Sequence, residues 1–230
     1  MAESCRRRYE RLEVDALLER YSGLRIEPSR GQDLVLSGTL AFLVVGPARE
    51  TIEDQYDIRI SVHPDFPTVL PRVRELGGRI PETYHKLVGD FLCLAAPTEL
   101  RWKLRLRPTL PRFVEAFVIP YLYGYSFFTK HGRLPYGELA HGDEGIRDFL
   151  SKMFGAPQSD CSEDFLRLGA MKKRDANKRP CPCRSGFRLG KCHNRRVNRL
   201  REQLGRHWFR AEYRRVIKLL DGKGRDRKTA

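Results

Sequence analysis

Residues 181–193 read Cys-Pro-Cys-Arg-Ser-Gly-Phe-Arg-Leu-Gly-Lys-Cys-His. Cys181, Cys183, Cys192 and His193 together offer three thiolates and an imidazole, the donor set that suits tetrahedral Zn2+. Eight residues separate the two halves, and Gly186 and Gly190 among them let the loop bring its ends back to one point. All four ligands come from the chain and no coordination position stays open, so the implied metal is structural. Its binding would supply folding free energy that a short, highly charged segment lacks.

A second sulfur sits in a different setting. Cys93 lies within Gly89-Asp-Phe-Leu-Cys-Leu-Ala-Ala-Pro97, and a thiol between Phe91, Leu92 and Leu94 reads by itself as inert core. The residues before it change that reading. Tyr56 to Val73 (YDIRISVHPDFPTVLPRV) is similar to the second strand and following loop of ubiquitin-conjugating enzymes. In that family an aromatic-Pro pair, two residues, and Pro-Pro-basic-Val lead into the next strand. Here Phe66-Pro67, Thr68-Val69, Leu70-Pro71 and Arg72-Val73 follow that order, with Leu70 replacing the first Pro. The family's His before the catalytic Cys, its Gly close to the Cys and its Leu directly after find counterparts in His85, Gly89, Cys93 and Leu94. Trp102 and Pro108 match its later Trp and helix-opening Pro, so the resemblance spans roughly residues 5–150.

One departure bears on mechanism. The family's His-Pro-Asn, whose Asn supports the tetrahedral intermediate, is His85-Lys86-Leu87 here. Such differences resemble the divergent bacterial relatives encoded in anti-phage CBASS operons, whose partner is a cGAS-like nucleotidyltransferase conjugated through its C-terminal glycine. The 181–193 segment in turn resembles the SEC-C motif, departing from it by Arg184 where the family has Gly. That motif implies a zinc-held tail that docks to protein or contacts nucleic acid.

The resemblance implies a thioester shuttle. Cys93 would accept an acyl group from a C-terminal carboxylate activated elsewhere, and an amine would then take it as an amide. A thiol suits this work because it is nucleophilic near neutral pH and its ester stays reactive toward amines. An unperturbed thiol is only a few per cent ionised at pH 7, so a polarising neighbour helps. His85 is the candidate, acting on the thiol or on the oxyanion. Asp90 is a weaker candidate for positioning the amine. Tyr121, Tyr123, Tyr125, Phe127 and Phe128 read as core and helix packing, Cys5 and Cys161 as bystander thiols, and His63 as a strand-end cap. A second reading keeps the fold but not the catalysis: an inactive scaffold whose zinc-bearing basic tail binds nucleic acid or a partner protein. The absent Asn supports it.

These residues need elements to hold them. Helical spacing marks Arg6 to Tyr21 and the basic stretch after His193, where Leu200, Leu204 and Trp208 recur at i, i+4. Strands are predicted at Asp33–Gly46, Gln55–His63 and Arg72–Leu76, the second by strict alternation of Tyr56, Ile58, Ile60 and Val62 with polar residues. An apolar helix runs from Pro108 to about Phe128, which Pro120 is expected to kink or divide. The predicted class is α+β: a ubiquitin-conjugating-like antiparallel sheet with flanking helices, plus a small C-terminal zinc-bound helical module. The expected boundaries are 1–155 for the first domain, 156–177 for a linker that includes a brief helix at Phe165–Met171, and 178–230 for the zinc motif and basic helix.

Charge divides the chain in the same place. Residues 171–230 hold 21 Lys and Arg against 5 Asp and Glu, a net +16, whereas the first 170 residues hold 23 against 24. A near-neutral domain followed by a basic module is implied, and the module's field would draw phosphate or an acidic protein surface. Six Cys in 230 residues is too few for a secreted disulfide scaffold. With no leader-like apolar run at the start and no stretch of membrane-spanning length, a soluble cytoplasmic protein is expected.

Overall fold

Tyr56, Ile58, Ile60 and Val62 are buried while Asp57, Arg59 and Ser61 between them face outward, and this alternation builds the middle of β3 (Thr51–Val62). β2 (Leu34–Val45) pairs with it antiparallel along its whole length, from Leu34 opposite Val62 to Val45 opposite Thr51. β4 (Arg72–Glu75) lies on the other side, with Val73 opposite Ile60. The computed structural model describes residues 2–29, 31–46, 49–135, 142–156 and 162–226. Cys161 and the Cys5 side chain lie outside what is described.

The sheet has six strands, three more than periodicity predicts. β1 (Leu24–Glu27) adds to β2, and beyond β4 come β5 (Lys86–Leu87) and β6 (Phe91–Leu92), in the order β1-β2-β3-β4-β6-β5 with every pair antiparallel. Segments of two to four residues are too short to display a period of two, which is why the sequence hides them.

Helices cover the buried face. α1 (Ala2–Leu12) and α2 (Val14–Arg20) are separate, because Glu13 between them adopts a left-handed backbone with φ 54°. α3 (Pro97–Leu104) follows β6. α4 (Leu110–Phe113) runs through a π-helical turn (Val114–Val118) into α5 (Ile119–His131). The helix is divided just before Pro120 as expected: a widened π-helical turn, Val114–Val118, separates α4 from α5, and Pro120 is the second residue of α5. Leu36, Leu40, Ile58 and Ile60 from the sheet and Phe113, Val114, Leu122 and Phe127 from these helices meet in one core.

The chain forms two compact units, Met1–Leu139 and Ala140–Ala230. The second contains α6 (Gly142–Phe154), α7 (Ser162–Ala170), α8 (Lys173–Ala176), a 3-10 turn (Leu189–Lys191) and α9 (Asn194–Asp226). The residues that composition assigns to a linker, 156–177, therefore hold two helices. Phe165 of α7 stacks on Phe154 of α6 at 4.9 Å between ring centres. α6 likewise belongs to the second unit, although composition places it with the first. α9 is broken at Gly205 (φ 72°, ψ 157°), which resets the helical phase. Leu200 is buried as the sequence predicts, but Leu204 and Trp208 are half-buried, and Phe209 and Val216 take the inner face. Among the described residues no helix is long and apolar enough to cross a membrane.

Candidate functional site

The β5–β6 hairpin decides where Cys93 sits. Lys86 opposes Leu92 and Leu87 opposes Phe91, and the register continues one step further: the Cys93 amide donates to the His85 carbonyl at 2.8 Å. Two residues eight apart in sequence thus face each other at the open end of the hairpin. The return requires left-handed backbone at Gly89 (φ 83°) and at Asp90 (φ 64°). His85 is left-handed too, with φ 41°, and its ring meets Tyr84 edge-on at 4.8 Å. Cys93 is half-buried, outside any disulfide, between fully buried Leu92 and the start of α3. The Asp90 carboxylate takes the Lys86 ammonium at 2.6 Å.

Sequence reasoning reads Tyr121 as packing, yet its hydroxyl reaches this same hairpin. It donates toward the carbonyls of Tyr84 at 3.0 Å and His85 at 3.2 Å. Burial, then the negative charge that Tyr84 or Cys93 would carry, push its pKa well above the usual phenol value, so it stays protonated. The His85 carbonyl consequently accepts from both Cys93 and Tyr121. The visible signal was the pair Tyr121 and Tyr125 at i, i+4 on a helix otherwise rich in apolar residues; Tyr125 donates to the Arg79 carbonyl at 2.5 Å. Buried tyrosines usually find a polar partner for their tips. His63 caps the turn after β3, its Nδ1 accepting from the Asp65 amide at 3.1 Å.

In the second unit Cys181, Cys183, Cys192 and His193 come together, with ligand atoms all within 4.8 Å of one another. Cys183 Sγ lies 3.3 Å from Cys181 Sγ and 3.5 Å from Cys192 Sγ. His193 Nδ1 lies 3.2 Å from Cys181 Sγ and 3.1 Å from Cys192 Sγ. A single ion can touch all four donors. His193 Nε2 is 3.1 Å from the Gly155 carbonyl, an acceptor that places the proton on Nε2 and turns the Nδ1 lone pair to the sulfurs.

A small hairpin creates this convergence. The Cys181 amide donates to the Phe187 carbonyl and the Leu189 amide to the Arg179 carbonyl, both at 2.8 Å. Gly186 supplies a left-handed turn with φ 78°, and Gly190 approaches Asn177 so closely that a Cβ would stand 2.9 Å from its carbonyl oxygen. Arg184 also adopts left-handed backbone, with φ 56°, which explains why glycine suits its position in the motif that this segment resembles. Burial raises the Cys181 thiol to about 12. Burial also acts against ionisation of Cys183, but its hydrogen bonds with Ser185 and Cys181 outweigh it and bring that thiol down to about 6.

No protein-family model, curated protein or solved structure matches this chain.

Proposed function

We propose that the chain is a divergent ubiquitin-conjugating-like enzyme that carries another protein's C-terminus as a thioester on Cys93, with a structural Zn2+ on Cys181, Cys183, Cys192 and His193. The observation that carries this reading is the hairpin register, which opposes His85 to a half-buried Cys93 at the mouth of α3. The Cys93 sulfur attacks an activated carboxyl carbon, the activating group leaves, and the S–acyl bond forms. An amine then attacks that carbon, the C–S bond breaks, the amine's proton passes to a base, and the thiol is restored. In this reading His85 would polarise the sulfur or carry that proton. Zn2+ would hold the 177–193 hairpin closed. The pattern of departures from the main family favours anti-phage defence of the CBASS kind, with a cGAS-like nucleotidyltransferase as acyl donor.

A fluorescent peptide ending in glycine, supplied as a small-molecule thioester, tests the carrier step without an activating enzyme. The wild type should exchange onto it and show the mass of one thiol-labile adduct. Cys93→Ala should show none, and His85→Ala should form it about 100-fold more slowly. An adduct of equal yield on Cys93→Ala overturns the assignment. No adduct on the wild type favours the scaffold reading, for which Leu87 speaks: it is 55% exposed and apolar where the family places Asn.

A further inference from the structure

Two arginines on the outward face of the sheet, Arg72 and Arg74, lie on β4 beside the hairpin that bears Cys93. Register places Arg25 opposite Ser37, Ser37 opposite Arg59, Arg59 opposite Arg74, and Arg74 opposite Phe91, in one row from β1 to β6. Arg72 stands two residues along β4 on the same face. Like charges directly opposed on neighbouring strands repel, and Arg59 with Arg74 is such a pair. The two side chains turn apart. Arg59 goes to Glu27 at 2.6 Å. Arg74 lies over the Phe91 ring at 4.2 Å and donates its Nε to the Gly89 carbonyl at 3.0 Å, and the Arg72 guanidinium lies 4.8 Å from the same ring. Among the described residues neither Arg72 nor Arg74 meets a carboxylate within ion-pair distance. Stacking on one ring fixes two guanidinium forks in advance, which lowers the entropy cost of meeting an anion.

We propose that Arg72, Arg74 and Phe91 form a clamp for an acidic peptide segment of the protein whose tail Cys93 carries, an inference that rests on the carrier reading above. The clamp shares the hairpin that positions Cys93, since Phe91 is two residues before it. Its surroundings favour peptide over nucleic acid. Val88 is fully exposed and Leu87 55% exposed at the hairpin turn, a surface for apolar side chains.

The experiment uses the full chain carrying Cys93→Ala, so binding is read without the thiol and its failure is distinct from failure of the carrier step. Fluorescence anisotropy follows a labelled Glu-Glu-Leu-Glu-Glu-Leu peptide and, separately, a labelled single-stranded oligonucleotide. Arg72→Glu with Arg74→Glu should weaken the peptide about tenfold, while Arg210→Glu with Arg214→Glu on exposed positions of α9 should change it less than about twofold. Arg72→Gln with Arg74→Gln should show the same order of effects and covers the case in which charge reversal disturbs folding, which circular dichroism monitors. Equal weakening by the β4 and α9 pairs would overturn the clamp as a specific site. Loss of the oligonucleotide in step with the peptide on the β4 variants would assign the site to phosphate instead, and unchanged peptide binding would remove it altogether.

Discussion

A single hydroxyl can join segments that share no strand pairing. Tyr121 sits on α5, yet its phenol closes onto the carbonyls of Tyr84 and His85, the residues that lead into the Cys93 hairpin. Tyr121→Phe keeps the ring and removes the donor, leaving the Tyr84 carbonyl without this partner. Stability should fall by about 1 kcal/mol at pH 7. The pH dependence identifies the cause. Because the folded phenol titrates above its ordinary value near 10, the unfolded chain loses that proton first as pH rises, and the wild type is destabilised above about pH 10. Phenylalanine has no proton to lose, so the gap between variant and wild type should narrow above pH 10 in urea melts. Parallel curves across that range would mean that the phenol is not buried as described.

Elements were legible where they were long. Twelve-residue β2 and β3 announced themselves by β-branched runs and alternation, and β4 by its place after the proline-rich crossing. The β5–β6 hairpin did not, since strands of two residues are fixed by left-handed turns at Gly89 and Asp90 and not by side-chain pattern. His85 and Cys93 could be named from a family-like spacing, but their direct opposition and the Tyr121 link needed the fold. The metal donors needed only their spacing. The segment before them was legible only in part: the brief helix expected at Phe165–Met171 is α7, but that it packs by shape was not visible in its polar composition. Gly169 on α7 allows this: a Cβ there would overlap the Phe209 ring, which is wholly buried. Gly169→Ala should therefore push α7 and α9 apart, against the usual gain of alanine in a helix. A loss of about 1–3 kcal/mol is expected from thermal melts. A stabilised variant would show that the ring has room to move.

The chain divides into a near-neutral sheet unit and a unit that contains the net +16 stretch. Arg195, Arg199, Arg206, Arg210, Arg214 and Lys218 are all exposed on α9, and neighbours among them recur at i, i+4, where like charges weaken a helix. Against this repulsion stand a small aromatic core and the Cys/His cluster, whose His193 ring also packs on Phe165 at 5.2 Å. Were the cluster to hold the proposed Zn2+, that ion would contribute roughly 10–16 kcal/mol of apparent binding free energy, as much as a domain's whole stability of about 5–15 kcal/mol. Metal removal should accordingly melt the second unit and spare the first. With a strong chelator, hydrogen exchange should accelerate across the 177–200 segment, α7 and α9, while β2 and β3 keep their protection. Cys183→Ser should reproduce this pattern and lose about one equivalent of bound zinc. Added salt should restore part of the protection in α9 by screening its cations. Exchange that rises equally in β2 and β3 would show the two units folding as one, and unchanged exchange everywhere would show that the cluster does not bear on folding.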